Sequence, residues 1–277
     1  MKVMQNRKSF FMESEKAHVW ISRPQEVGEE QMRSLELTLD ASEIARAWRF
    51  RFEIDRRAYV VAHGLRRVAL GDFLGVDPVS LVLTKQSSGE PVLIWPGTRK
   101  VFFSHSHTRD LVAIAVASVS RVGIDVECVE PTKPDFDLLT PYVVLPEVSQ
   151  RVEELGIDPA AQFFFYWTTL EAFWKAAGKG LSPENPRICC EKIGPEIFEI
   201  TLEGDVEGCR RLPCASVSRI QAPRGCMISL VQQYQRNWAG RADAGSFFRI
   251  GKYRKKDDIS MRTKRHPDNG VVNIVSV

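Results

Sequence analysis

The stretch Gly123-Ile124-Asp125-Val126-Glu127 combines the pattern of a β-strand with two carboxylates. Side chains two apart along a strand share a face, so Asp125 and Glu127 are expected to point to one side. Ile124 and Val126 would then face a core. Two carboxylates held together repel each other unless they are protonated or bridged by a cation. Oxygen ligands favour Mg²⁺ or Mn²⁺ over zinc, and the alternative interpretation is a solvated strand face.

A second informative stretch is residues 160–177, the strongest helix prediction in the chain. Its aromatic and aliphatic residues recur at a spacing of three to four, which is typical of a buried helix face. Glu171 and Lys175 are four residues apart and therefore share a face of that helix. Glu171 would supply a third carboxylate, and Lys175 a cation suited to a phosphate. The alternative is an exposed salt bridge, worth about 0.3–0.5 kcal/mol.

A third stretch, Phe103-Ser104-His105-Ser106-His107, follows a predicted strand at residues 101–104. Hydroxyl, imidazole and backbone N–H groups at the end of a strand are donors suited to an anion. The alternative is a loop with two incidental histidines.

The order of the remaining elements predicts an α+β fold. A capping box at Asp40–Glu43 begins one helix, and a second helix at 55–70 is expected to end at Gly71. A further short helix is predicted at 148–155. Strands are predicted at residues 18–22, 81–83, 101–104, 111–118, 122–126, 198–202, 215–220 and 227–231. This order favours two similar-sized subdomains, residues 1–119 and 120–237, followed by a basic tail at 238–277 that is expected to be disordered.

The charge of the chain is concentrated in that tail. The 277 residues carry 38 Lys and Arg against 35 Asp and Glu, a formal charge of +3. Residues 249–265 alone contribute eight basic and two acidic residues. The rest of the chain is therefore slightly acidic, which argues against a protein built to bind nucleic acid.

Apolar runs and cysteines bear on the compartment. The longest apolar run, residues 111–119, is far shorter than the roughly 20 residues that a helix needs to span a bilayer. The N-terminus lacks the sustained apolar segment of a secretory signal. We therefore expect a cytoplasmic protein without a membrane partner. The six cysteines form no CxxC pair and lie near no histidine at zinc-finger spacing, so we expect reduced thiols.

Taken together and in this order, the three stretches resemble a known family. VFFSHS (101–106), GIDVE (123–127) and WTTLEAFWKAAGKGL (167–181) are similar to motifs of the 4′-phosphopantetheinyl transferase superfamily, specifically its larger, Sfp-type monomers. The resemblance covers about residues 40–231. Each motif is weak alone, whereas the combination is specific.

The resemblance implies a fold, a reaction and partners. The fold would have two α+β subdomains related by a pseudo-twofold axis, with coenzyme A bound in the cleft between them. The reaction would transfer 4′-phosphopantetheine from coenzyme A to a serine of an apo acyl or peptidyl carrier protein, releasing adenosine 3′,5′-bisphosphate. Mg²⁺ would be the cofactor, with Mn²⁺ as an alternative. The enzyme would act as a monomer.

The resemblance also implies roles for individual residues. The metal ligands would be Asp125, Glu127 and Glu171. The contacts to the phosphates of coenzyme A would be Arg57, Arg66, Ser104, His105 and Lys175. The catalytic residues would be His105, Lys175, Glu171 and Glu147, with Glu171 directly or Glu147 through a water accepting the proton of the serine.

Three positions depart from the family pattern. Leu170 replaces a lysine, Glu90 replaces the lysine of a GKP turn, and Phe102 replaces an asparagine. Lys85 and the cations at 99 and 100 are candidates to offset Glu90. These departures motivate a second interpretation, a relative that binds coenzyme A or a carrier protein without catalysis. A metal-dependent nuclease is a third interpretation, which the slightly acidic body disfavours.

Overall fold

The computed structural model describes residues 17–85, 89, 91–94, 101–128, 159–182, 188–192, 197–202, 215–220, 222, 225–233 and 273–276. Within them lie the helices α1 (Glu29–Leu37), α2 (Ala41–Ala47), α3 (Glu53–Leu74) and α4 (Pro159–Ala176). The strands are β1 (His18–Ser22), β2 (Leu83–Lys85), β3 (Pro91–Leu93), β4 (Phe102–His107), β5 (Val112–Ala117), β6 (Arg121–Cys128), β7 (Ile188–Lys192), β8 (Ile197–Leu202), β9 (Ala215–Ile220), β10 (Cys226–Gln233) and β11 (Asn273–Ser276). This mixture of helices and antiparallel strands confirms the predicted α+β class.

The elements stack in four layers. One sheet has the strand order β11-β1-β5-β4, a second has the order β6-β10-β9-β8-β7, and β2 pairs with β3 in a hairpin. Helix α3 packs on one face of the first sheet, and strands β6 and β10 of the second sheet pack on its other face. Helix α4 covers the outer face of the second sheet. The subdomain boundary near residue 119 and the pseudo-twofold axis stay predictions.

Strand β5 lies at the centre of this stack and is buried along its whole length. Its β-branched residues alternate with alanines. The β-branched side chains pack against α3, and the alanines face the second sheet. Since alanine is small, the two sheets approach closely, and β4 of the first sheet comes beside β6 of the second.

The capping box at the start of α2 is confirmed. The side chain of Asp40 accepts hydrogen bonds from the backbone N–H groups of Ser42 and Glu43, each at 2.9 Å. The carboxylate of Glu43 accepts one in return from the backbone of Asp40 at 3.1 Å. These reciprocal bonds satisfy N–H groups that have no partner inside the helix.

Helix α3 is longer than predicted, and the expectation that Gly71 ends it is wrong. The helix continues to Leu74 and is closed by Gly75, whose φ of 71° is left-handed. Gly71 lies inside the helix, and a Cβ at this position would meet the carbonyl oxygen of Val76 at 2.8 Å and the ring of Pro78 at 2.9 Å. Its role is therefore close packing against the following turn rather than termination.

Most other predicted elements are found with shifted ends. Strands 18–22 and 215–220 have the predicted bounds, and α4 differs from the predicted helix by one residue at each end. The predicted strand 101–104 continues through His107, so the whole third stretch is strand rather than loop. Strand β7 was not predicted. The predicted helix at 148–155 lies outside the described residues.

The C-terminal segment contributes one strand. Asn273–Ser276 pair antiparallel with β1, with Ser276 opposite His18. The rest of 238–277 lies outside the described residues, so its expected disorder stays a prediction.

In the part of the chain that the structure covers, we find no helix with the length and apolarity needed to cross a membrane.

The expectation of reduced cysteines is wrong for one pair. Cys128 and Cys226 form a disulfide between β6 and β10. They lie directly opposite each other in an antiparallel pairing of eight residues. A sequence separation of 98 residues hides this proximity from the sequence. The other four cysteines lie where no side chain is described.

Candidate active site

Strand β4 presents different side chains on its two faces. On one face, Ser104 Oγ accepts a hydrogen bond from the backbone N–H of Ile124 at 3.2 Å, and Ser106 Oγ donates to Asp125 at 2.8 Å. On the other face, the ring of His105 lies 5.7 Å from the ring of His63 on α3. The alternation of a strand therefore directs the serines toward β6 and the imidazoles toward α3.

Helix α4 lies directly on β6 because position 123 has no side chain. A Cβ on Gly123 would lie 1.8 Å from the carbonyl oxygen of Ala172 and 2.6 Å from the backbone nitrogen of Ala176. Any larger residue would push the helix away from the strand. This close approach brings the α4 face that carries Lys175 to the carboxylate of Asp125.

The result is a cluster of three residues, one from each predicted stretch, which we call the Ser106–Asp125–Lys175 cluster. Lys175 Nζ donates to Asp125 Oδ1 at 2.6 Å and lies 3.4 Å from Ser106 Oγ. A further contact of 3.5 Å joins Nζ to the carbonyl oxygen of Ile124. Asp125 is 4% exposed, so its charge is neutralised by partners rather than by water.

Glu171 lies one helical turn before Lys175 and is half-buried. Burial raises the pKa of its carboxyl group, the charge of Lys175 opposes this rise, and the charge of Asp125 adds to it. A raised pKa makes a carboxylate a better proton acceptor than a free glutamate. Glu171 is therefore suited either to accept a proton or to share a cation with Asp125.

The carboxylates suit a divalent cation in their chemistry. Asp125 Oδ2 is buried and has no hydrogen-bond partner among the described residues, and a buried carboxylate oxygen in that state is costly. Glu127 is half-buried at the next position on the same strand face. The described residues hold no group of three His, Cys, Asp or Glu side chains gathered closely enough for a metal. The fit to Mg²⁺ is therefore one of residue type only: carboxylate oxygens suit this ion, which is usually held by one or two carboxylates together with waters and substrate phosphates, and Asp125 Oδ2 is the oxygen without a partner among the described residues.

On the other side of β4, a buried ionic network surrounds Arg66. Arg66 Nη2 donates to Glu43 Oε1 at 2.5 Å and lies 3.1 Å from His63 Nδ1. Arg67 also donates to Glu43, at 2.7 Å. Burial alone would raise the pKa of the Glu43 carboxyl group. Contacts from His63, the Asp40 backbone and both arginines outweigh burial and lower this pKa to about 2.

His105 lies next to this network. Burial of its ring, followed by the charges of Arg66, His63, His107 and Lys175, lowers its pKa well below the ordinary value. His105 is therefore neutral near pH 7 and can contribute a hydrogen bond rather than a charge. Positive charge at this point comes from Arg66, whose Nε is buried and has no partner within the described chain.

The predicted residues are not all brought together. Arg57 donates to the carbonyl oxygens of Pro24, at 2.8 Å, and Val27, and to Glu29 at 3.1 Å. These contacts hold the turn before α1, so a phosphate contact by Arg57 stays a prediction. Glu147 and Glu90 lie outside the described residues. The other two residues that depart from the family pattern are buried or partly buried. Leu170 lies on the core-facing side of α4, and Phe102 packs between the two sheets.

Sequence reasoning missed Ser106 as a site residue. The predicted strand ended at residue 104, which left Ser106 in a loop. Had the strand been extended by two residues, its period of two would have placed Ser106 on the same face as Ser104. The hydroxyl signal was therefore present in the sequence, and the strand boundary hid it.

The sequence is similar to those of known transferases. The sequence model of the 4′-phosphopantetheinyl transferase superfamily matches residues 121–220, which include the carboxylate strand and α4. The 4′-phosphopantetheinyl transferase HetI of Nostoc sp. is 34% identical over 174 residues, which are 61% of this chain and 71% of HetI. The 4′-phosphopantetheinyl transferase of Bacillus subtilis is 28% identical over 59% of this chain and 70% of its own length.

A more distant relative extends the comparison. The phosphopantetheinyl transferase of Thraustochytrium sp. is 28% identical over 53% of this chain, and the match spans little more than half of that protein, 55% of its length. Fold, site and relatives define a transferase. The chain belongs to the 4′-phosphopantetheinyl transferase superfamily, so the expected family is confirmed.

Proposed function

We propose that this protein transfers 4′-phosphopantetheine from coenzyme A to a serine of an apo acyl or peptidyl carrier protein, with Mg²⁺ as cofactor and as a monomer. The observation that carries the proposal is the Ser106–Asp125–Lys175 cluster. It joins one residue from each of the three stretches that resemble the family. An incidental salt bridge on a helix surface would not connect two sheets and a helix around a buried carboxylate.

The chemistry requires that an anionic centre accept a nucleophile. The serine oxygen forms a bond to the phosphorus attached to pantetheine, and the bond from that phosphorus to the leaving adenosine bisphosphate breaks. Charge on the diphosphate repels the approaching oxygen, so positioning and electrostatic stabilisation are the main requirements. Lys175 provides a cation within the cluster, and Arg66 with neutral His105 provides donors on the other face of β4.

The hydroxyl proton of the carrier-protein serine must pass to a base as the new oxygen–phosphorus bond forms. Glu171 is the described candidate because burial raises the pKa of its carboxyl group. Glu147 acting through a water is the alternative, and it stays a prediction. Asp125, Glu127 and Glu171 would hold Mg²⁺, which would neutralise diphosphate charge when bound. Ser104 and Ser106 hold β4 against β6 and so fix where these groups stand.

A transfer assay tests the proposal. A panel of apo carrier proteins from fatty-acid, polyketide and peptide synthesis is incubated with coenzyme A and Mg²⁺, and each carrier is weighed by mass spectrometry. We expect at least one carrier to gain one phosphopantetheine arm on its serine, and the gain to vanish with EDTA. Coenzyme A binding by calorimetry without transfer to any carrier would favour the relative that lacks catalysis.

A further inference from the structure

We propose that the Cys128–Cys226 disulfide is a site of reversible thiol–disulfide exchange that controls how β6 presents Glu127 to a divalent cation. The exchange itself depends only on the two cysteines. Its effect on metal binding rests on the proposed function, in which Glu127 is a metal ligand. The reactant would be a small thiol, such as glutathione, and its disulfide.

The disulfide lies at the end of β6, the strand that carries Asp125 and Glu127. Cys128 is the last residue of β6 and directly follows Glu127, while Cys226 is the first residue of β10. In the pairing of these strands, Cys226 is opposite Cys128 and Met227 is opposite Glu127. The disulfide therefore closes the end of the strand pair at which the second carboxylate stands.

The residue that follows strand β4 also contacts the disulfide. The hydroxyl oxygen of Thr108 lies 3.5 Å from the sulfur of Cys128. Thr108 directly follows His107, the last residue of β4. The sulfur atoms thus lie where β4, β6 and β10 come together, and β4 and β6 are the strands that carry the Ser106–Asp125 contact.

Both cysteines pack against the core between the two sheets, but each remains partly exposed, so a small reactant can approach this end of the strand pair. In reduction, a thiolate attacks one sulfur, the S–S bond breaks, and a second external thiol displaces the first. Cys128 and Cys226 each end as a thiol, having gained two electrons and two protons in total, and the two external thiols leave as one disulfide. Oxidised glutathione reverses the exchange.

Breaking the bond is expected to affect Glu127 more than Asp125. Asp125 lies deeper inside the strand pair, three residues from the end of β6. Glu127 is one residue from the strand end, and strand ends open more readily than strand centres. Reduction should therefore weaken cation binding severalfold, while turnover at saturating Mg²⁺ stays close to that of the oxidised protein.

The experiment uses the full chain in two states, oxidised with glutathione disulfide and reduced with dithiothreitol. Differential alkylation and mass spectrometry report the state of Cys128 and Cys226, and Mn²⁺ binding is measured by electron paramagnetic resonance with and without coenzyme A. We expect Cys128 and Cys226 to be protected from alkylation in the oxidised protein and alkylated in the reduced protein, and we expect Mn²⁺ binding to be severalfold weaker in the reduced protein. A variant with both Cys128→Ser and Cys226→Ser should bind Mn²⁺ like the reduced protein in either buffer, and Cys209→Ser is the matched control.

Two results would overturn the proposal, and they differ from failure of the proposed function. If Cys128 and Cys226 stay fully alkylatable after treatment with glutathione disulfide, there is no exchange site, whatever the transfer assay shows. If they exchange but Mn²⁺ binds equally in both states, the coupling to Glu127 is refuted and the transferase stands. Absence of transfer in both redox states, with reversible exchange intact, would count against the proposed function alone.

Discussion

Lys175 Nζ lies 2.6 Å from Asp125 Oδ1, although the two residues are fifty positions apart in the chain. The contact joins helix α4 to strand β6. Because Asp125 is buried, the ammonium group stabilises a carboxylate that water does not reach. It also occupies one oxygen of that carboxylate, so a divalent cation would find Oδ2 as the available ligand.

We predict that Asp125→Asn lowers kcat/KM for transfer by about 100-fold or more, the usual scale for losing one preorganised electrostatic contact. The amide has nearly the same shape, but it carries no negative charge to offset that of Lys175 and binds a cation poorly. Circular dichroism should remain like that of the original protein. Asp110→Asn, which changes an exposed carboxylate, is the control and should leave the rate unchanged. Near-normal transfer by Asp125→Asn would refute the site assignment.

Lys175→Ala should lower kcat strongly, again by about 100-fold, because the cluster loses its cation. Lys179→Ala removes an exposed lysine four residues further along and serves as the matched control. Single-turnover measurements separate the chemical step from binding of coenzyme A. An unchanged kcat in Lys175→Ala, or an equal loss in the control, would remove the role proposed for this residue.

Gly123→Ala should destabilise the protein by about 1–3 kcal/mol, the range found for overpacked cores. The added methyl group would meet the backbone of Ala172, which cannot rotate away as a side chain can. Urea unfolding measures the change. Gly180→Ala is the control, since a Cβ there meets nothing within 4 Å. Equal stability of the two variants would show that α4 does not lie directly on β6.

Stability should fall as the protein is acidified, first through the buried histidines His63, His105 and His107, whose pKa values are all lowered, and then through Glu43. Burial lowers the pKa of His63 and of His105, so the folded state loses stability below pH 6.5, where both residues would be charged in the unfolded chain. The pKa of Glu43 is lowered from 4.5 to about 2. Its contribution is therefore fully present above pH 4.5 and is lost as the pH falls toward 2.

Glu43→Gln should remove the second part of this acid dependence. It should also cost about 3–5 kcal/mol at pH 7, because Arg66 and Arg67 would keep buried charges without their shared carboxylate. Urea unfolding between pH 3 and pH 7 measures both effects. Glu53→Gln, at an exposed pair with Arg56, is the control and should cost no more than about 1 kcal/mol. An unchanged acid slope in Glu43→Gln would contradict this assignment.

The sequence predicts those parts of the site that depend on spacing within a single strand or helix. The period of two in 123–127 and the spacing of four between Glu171 and Lys175 define two faces, and the structure brings Asp125 and Lys175 from those faces into contact. The capping box is equally local and equally predictable. What the sequence could not show depends on the partner surface, such as the packing of Gly71 against Pro78.

Non-local pairing explains the other failures. The disulfide depends on the register between β6 and β10, which begin about a hundred residues apart. No pattern within either strand specifies that Cys128 will be opposite Cys226. The ionic network of Glu43 likewise depends on how α2 lies against α3, and the role of Glu43 in the capping box gave no sign of its second role.

The alternation along β4 has a consequence for how the chain tolerates insertions. A slip of one residue in its pairing with β5, which sets His105 opposite Ile114, would exchange the serines and the imidazoles between the two faces. The serines and the imidazoles would still be present, but neither group would contact its partners. The β-branched and alanine faces of β5 prevent that slip, so the placement of the site residues on β4 depends on β5, which contributes no site residue itself.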